Sequence, residues 1–252
     1  YYLGATYVEM KSEDKAVEAF LRVPEKSDLF VDARIQAAYL YDRRDQTEKA
    51  IEAVQSALEK KNDQKEIFGL LASLYRKQKD YAKAIEAMER VIVLDSRNDQ
   101  AYFQLGALHD ENKNKEKSIA NMKRAIEINP RNAAALNYLG YTWAEMGIHL
   151  DEAEILIQRA LKIAPNDGFY IDSLGWVYYQ KGDYDKAVEH LERAVEITVD
   201  DPTIIEHLAD AYEKAGKANQ AVVHYRDALK KSKDDEQNAR LREKIQRLER
   251  KI

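Results

Sequence analysis

Residues 172–194 read DSLGWVYYQKGDYDKAVEHLERA. In this stretch a small residue, Gly175, is followed three positions on by Tyr178, and a second small residue, Ala187, is followed four positions on by Leu191. The same order recurs along the whole chain. The first small position is occupied by Gly4, Ala38, Ala72, Gly106, Gly140, Gly175 and Ala209, at gaps of 34, 34, 34, 34, 35 and 34 residues. Three residues after each stand Tyr7, Tyr41, Tyr75, His109, Trp143, Tyr178 and Tyr212. The second small series is Ala16, Ala50, Ala84, Ser118, Ala153, Ala187 and Ala221, with Phe20, Val54, Met88, Met122, Ile157, Leu191 and Tyr225 four residues later. A period this constant marks a repeat architecture.

Close packing of two short helices explains the pattern: a small residue on one lets the other approach, and an aromatic fills the space beside it. Each unit therefore reads as a helical hairpin. Gly147, Gly182 and Gly216 fall where the first helix must end, in the left-handed position that favours glycine. Pro130 and Pro165 follow second helices, where proline blocks further extension. With only 9 Gly and 4 Pro in 252 residues, little else interrupts helix. One hairpin leaves an apolar face open to water, so neighbours must stack into a solenoid. The turn Gly147, Ile148, His149, Leu150 holds the extra residue behind the single 35-residue gap. Arg34 stands where a large residue is usual early in the first helix, which predicts a looser or partner-covered face there. Beyond Ser232, Leu241, Ile245, Leu248 and Ile252 form one helical stripe, read as a cap over the last hairpin in preference to a short coiled coil.

Composition excludes several function classes. The 45% apolar fraction suffices for a core, and 40 basic against 45 acidic residues give a net charge of -5, with no general attraction for nucleic acid or anionic lipid. There is no Cys, hence no disulfide framework, thiolate zinc site or cysteine nucleophile. No stretch approaches 18 uninterrupted apolar residues. The five histidines do not converge: His109 replaces a core aromatic, His190 and His224 are equivalent in successive second helices, His149 is in a turn and His207 is on a first helix. None pairs within a helix at metal-binding spacing, and neither GxGxxG nor a P-loop occurs. No enzyme and no cofactor are expected. The chain begins at Tyr1 rather than Met, so a processed or trimmed segment is expected, with any anchor lying before it.

The order small, aromatic, Ala, large, Ala, Pro at a 34-residue period resembles the tetratricopeptide repeat, from Tyr1 to about Ser232. The resemblance implies an all-α, right-handed superhelical solenoid of seven hairpins over residues 1–233, with a C-terminal capping helix over residues 234–252. It also implies that first helices line a concave groove which holds a protein or peptide ligand. By analogy with the family, groove positions lie one and four after the small residue and two or three before it. In the early units these include Tyr39 and Phe103. The fifth unit supplies Asn137, Tyr138 and Tyr141, the sixth Asp172, Trp176 and Tyr179, the seventh Glu206 and Asp210.

Trp143 holds the core-aromatic register, whereas Trp176 is one residue past Gly175, turned away from the hairpin core. With Tyr138, Tyr141 and Tyr179 it forms an expected anchor patch of the kind that dominates interfaces. Trp176→Ala is accordingly expected to weaken partner binding while the thermal midpoint barely moves. Family members that act as co-chaperones hold chaperone C-termini in a basic clamp. Its leading position is here Tyr1, Ile35, Gly69, Phe103, Asn137, Asp172 and Glu206, none of them basic, and Glu206, Asp210 and Glu213 disfavour an acidic tail.

The stretches NYLGYTWAEMG at Asn137 to Gly147, DSLGWVYY at Asp172 to Tyr179 and AFLRVP at Ala19 to Pro24 are similar to bacterial cell-envelope members of the family. Some of those are lipoprotein adaptors that deliver substrates to a periplasmic carboxyl-terminal processing protease. This resemblance implies an adaptor, periplasmic and lipid-anchored before Tyr1; without it the expectation is cytoplasmic. Self-assembly as a homo-oligomer, through the first unit or the Leu241 to Ile252 stripe, and a regulatory segment of a larger enzyme are the other readings.

Overall fold

The computed structural model describes residues 1–250, and among these every regular element is an α-helix. Ile252, the last residue of the C-terminal stripe, lies outside them. The chain divides into two compact units, Tyr1–Ile128 and Asn129–Ile252. The first contains four hairpins: α1 (Tyr2–Glu9) with α2 (Glu13–Leu21), α3 (Phe30–Asp42) with α4 (Thr47–Leu58), α5 (Lys65–Lys77) with α6 (Tyr81–Leu94), and α7 (Asp99–Glu111) with α8 (Lys115–Ile128). The second contains three: α9 (Ala133–Glu145) with α10 (Leu150–Ile163), α11 (Gly168–Lys181) with α12 (Tyr184–Ile197), and α13 (Pro202–Lys214) with α14 (Ala218–Lys231). A final helix, α15 (Asp235–Glu249), packs against α14. This is the expected all-helical repeat of seven hairpins with a terminal cap.

The two small-residue series meet across each hairpin. A Cβ added to Gly4, Gly106, Gly140 or Gly175 would stand 2.7, 2.8, 2.7 or 2.6 Å from Phe20, Met122, Ile157 or Leu191. The small residue on the first helix thus seats the large residue on the second, and the two backbones close on one another.

Each hairpin turn passes through a left-handed residue at one shared register position. These are Lys11, Asp45, Lys79, Lys113, Gly147, Gly182 and Gly216, all at positive φ. They share the repeat register, so glycine and non-glycine residues adopt the same strained turn. His149, also left-handed at φ 50°, belongs to the extra residue of the fifth turn. Helix starts are capped by side-chain acceptors where the sequence supplies them: Asp80, Asn98, Asn132, Asp167, Asp183, Asp201 and Asp234 accept from the first-turn amides.

Core aromatics tie neighbouring hairpins together. The hydroxyl of Tyr178 donates to Glu154 on α10 at 2.8 Å, that of Tyr212 donates to Glu192 on α12, and that of Tyr75 accepts from Gln55 on α4 at 3.1 Å. His190 and His224 stack on Tyr178 and Tyr212, each with ring centroids 5.3 Å apart, and His109 is buried in the core register. Trp143 is half-buried and packs on Leu174 and Val177 in the core as its register requires, with His149 against it at 5.1 Å.

Arg34 is held by groups of the chain itself. Its guanidinium donates to the carbonyls of Phe20 and Leu21 at 3.1 and 3.2 Å and lies 4.3 Å from the Phe30 ring centroid. The residue caps the C-terminal end of α2, where a cation meets the negative end of the helix dipole. Arg34 also lines two open surface cavities beside Leu21 and Ser56.

Candidate functional site

In the second unit, α11 packs directly on both α9 and α13, and each of the three packs on its own second helix. One face of each therefore joins a single inner row. On α9 and α11 that row carries Tyr141, Trp176 and Tyr179, which are half-buried with part of each ring still open to water. The Trp176 indole stacks on Tyr179, with centroids 4.5 Å apart and planes 6° apart. It also stacks on His207 of α13, at 4.3 Å and 22°. Tyr141 approaches the same imidazole at 6.5 Å. Asn137 and Tyr138 precede Tyr141 on α9 and are likewise half-buried. The Asn137 Oδ1 and Trp176 Nε1 atoms are buried without a hydrogen-bond partner among the described residues.

Beneath these rings lies a line of paired charges. Asp172 and His207 are buried, at 6% and 8% exposure, and Nδ1 of His207 is 2.9 Å from Oδ1 of Asp172. Glu206 is 4% exposed and receives Gln237 at 3.0 Å, Arg240 at 2.9 and 3.0 Å and Lys244 at 2.9 Å. Lys244 also donates to Asp210 at 2.6 Å, and Arg247 to Glu213 at 2.7 Å. The Tyr225 hydroxyl donates to Asp210 and, at 3.0 Å, to Glu213. Burial alone would raise the Glu206 pKa, but Arg240, Gln237 and Lys244 outweigh it and hold the carboxylate at about 2. Burial likewise opposes the charge on His207, yet Asp172, with Asp210 and Glu206 behind it, raises its pKa. Burial is also the main reason the Tyr141 and Tyr179 hydroxyls titrate late, Tyr179 at about 12.

These positions revise the sequence-based site. Tyr141, Asp172, Trp176 and Tyr179 do come together. Asp172, Glu206 and Asp210 do so as internal ion-pair partners, with their oxygens committed to His207 and to α15. The acidity of Glu206, Asp210 and Glu213 is therefore cancelled by Arg240, Lys244 and Arg247 and repels nothing. Tyr39, 48% exposed on α3, and Phe103, half-buried on α7, belong to the first unit. Trp176 also carries structure, since two rings rest on it, so its replacement by Ala cannot leave stability untouched.

Sequence reading put His207 at a groove position, two before Ala209, but gave it no partner, and it missed the α15 cations. A signal for the latter was present: Glu206 and Arg240, Asp210 and Lys244, and Glu213 and Arg247 are each separated by the repeat length of 34. The period runs on into α15, which takes the place of another first helix.

Among the described residues no cluster of three or more His, Asp or Glu is placed to hold a metal ion. Among the described residues no helix is long and apolar enough to cross a membrane.

Comparison with known proteins agrees with the geometry. Family models described as TPR or tetratricopeptide repeats match residues 35–101, 99–132 and 175–216, together more than half of the chain. TPR repeat-containing protein PA4667 of Pseudomonas aeruginosa is 42% identical over 57 residues. That match covers 23% of this chain and only 10% of the Pseudomonas protein. The crystal structure of a tetratricopeptide repeat protein from Parabacteroides merdae aligns with a TM-score of 0.74, over 97% of this chain and 95% of that one, at 15% identity. The crystal structure of MamA aligns with a TM-score of 0.60, over 68% of this chain and 93% of its own, at 25% identity. Register, hairpin packing and family matches lead to one conclusion, that the chain belongs to the tetratricopeptide-repeat family.

Proposed function

We propose that the chain is a protein-binding scaffold and that the inner row of its second unit holds a segment of a partner protein. Repeat stacks of this kind generally serve as interaction scaffolds, because stacking creates an extended surface that one globular domain does not offer. The observation that carries the reading is the convergence of Tyr141, Trp176 and Tyr179 on one face with their rings partly open. Aromatic rings held rigid by neighbours lose little entropy on contact, which is why Trp and Tyr dominate binding hot spots. Since Asp172, Glu206 and Asp210 are paired internally, contact falls to the aromatics and to Asn137 and Tyr138.

The finer reading is an adaptor in a bacterial cell envelope. It rests on the resemblance of residues 137–147 and 172–179 to such adaptors, and these are the stretches that build the aromatic row. Leu241, Ile245 and Leu248, the described part of the C-terminal stripe, are buried within the chain, which supports a cap there over a self-assembly surface.

Tyr141→Ala tests the reading. With a partner recovered from the native host, calorimetric titration should show affinity falling ten-fold or more, on the ~2 kcal/mol scale of a hot-spot residue. Circular dichroism melting verifies that the variant remains folded. An unchanged affinity would remove this row from the binding account.

A further inference from the structure

His207 is the one charged partner that Asp172 has across the α11 and α13 contact. The other carboxylates near it are already matched: Glu206 by Arg240 and Lys244, and Asp210 by Lys244 and the Tyr225 hydroxyl. From α9 the ring of Tyr141 faces the imidazole, and from α11 the indole of Trp176 covers it. A protonated imidazole in this position does two things. It neutralises a buried carboxylate, and it presents a cation to the face of an indole.

We propose that His207 is a proton-dependent fastener of the inner row: as a cation it clamps α13 to α11 through Asp172 and pins Trp176, and on losing its proton it releases part of that hold. The neutral ring can still donate Nδ1–H to Asp172, so the contact loosens and does not break. Asp172 then sits buried with a hydrogen bond but no counter-charge, a costly arrangement. The direction of the effect follows from linkage. Because the folded environment raises the His207 pKa above its usual 6.5, the stabilisation is complete below that value and is lost as pH rises through the folded-state pKa. Raising the pH through that folded-state pKa therefore loosens the row, and lowering it tightens it. The device operates in the chain alone and does not depend on what the row binds.

The test uses the full chain with Trp143→Phe, so that emission reports Trp176 alone. A protonated imidazole stacked on an indole quenches its fluorescence far more than a neutral one. Emission should be low at pH 5 and rise in a single step with a midpoint above 6.5. His207→Gln should abolish the step, and Asp172→Asn should lower its midpoint by about one pH unit or more. The difference in thermal midpoint between the parent and His207→Gln should shrink as pH rises from 6 to 9. Should His207→Gln fail to fold, the imidazole proton resonances of the parent chain read the same midpoint directly. A flat emission profile, a step unaltered by Asp172→Asn, or a His207 midpoint at or below 6.5 would overturn the proposal.

Discussion

Replacing Trp176 by Ala removes two ring stacks and empties the space beside a buried ion pair. Stability should therefore fall by about 3 kcal/mol, from the loss of a largely buried aromatic and its stacking partners. Trp176→Phe, which keeps a ring in place, should cost well under half of that in a denaturant melt. Equal losses for the two variants would show that the stacks contribute nothing. The sequence places Trp176 on the inner row through its offset of one residue from Gly175. It does not reveal His207 beneath the indole, because a histidine two residues before a small position looks no different from any other polar residue on a first helix. Only the approach of α13 to α11 turns Asp172 and His207, 35 residues apart, into a pair.

The hairpin turn is the element in which local preference and the repeat register conflict most visibly. Three turns place glycine at the left-handed position, and four place Lys or Asp there. A side chain at positive φ costs roughly 1 kcal/mol or somewhat more. Lys113→Gly should thus raise stability by about 0.5–1 kcal/mol even after the extra chain entropy of glycine is counted, while Gly182→Ala should lower it by about 1 kcal/mol. Thermal midpoints measured in parallel test both signs, and a destabilised Lys113→Gly would contradict the argument. The sequence announced three of these turns through their glycines; the other four, at Lys11, Asp45, Lys79 and Lys113, carry no such mark and emerge from the structure.

The cap is a different kind of element, held as much by charge as by apolar burial. Leu241, Ile245 and Leu248 were legible as a stripe from their spacing. The ladder opposite Glu206, Asp210 and Glu213 was legible only as a 34-residue spacing between acid and base, and it takes the packing of α15 to turn that spacing into contacts. A carboxylate held at about 2 instead of the usual 4.5 contributes about 3 kcal/mol at neutral pH. With a depressed pKa, that contribution is present above 4.5 and disappears as pH falls toward 2. Glu206→Gln should therefore lower stability at pH 7 and become nearly neutral near pH 2. A loss that is the same at both pH values would mean that α15 is held by packing alone.

At the scale of the molecule, repetition made the fold legible and left the site only half so. Seven equivalent positions specify which helix face is buried against its partner, since small and large residues must alternate there for the backbones to close. The inner face is under no such constraint, and its residues vary from hairpin to hairpin. Sequence could name the aromatics on it but could not tell an open carboxylate from one paired across the stack. The inner aromatic row of the second unit is expected to make the contacts of this scaffold with other proteins. Site-specific photo-crosslinking in the native host compares that row with the outer face most directly, using a photoreactive residue at Tyr141 and, separately, at Ile155, which is 57% exposed on α10. Position 141 should capture a distinct protein and position 155 should not; capture at 155 with none at 141 would contradict the central claim.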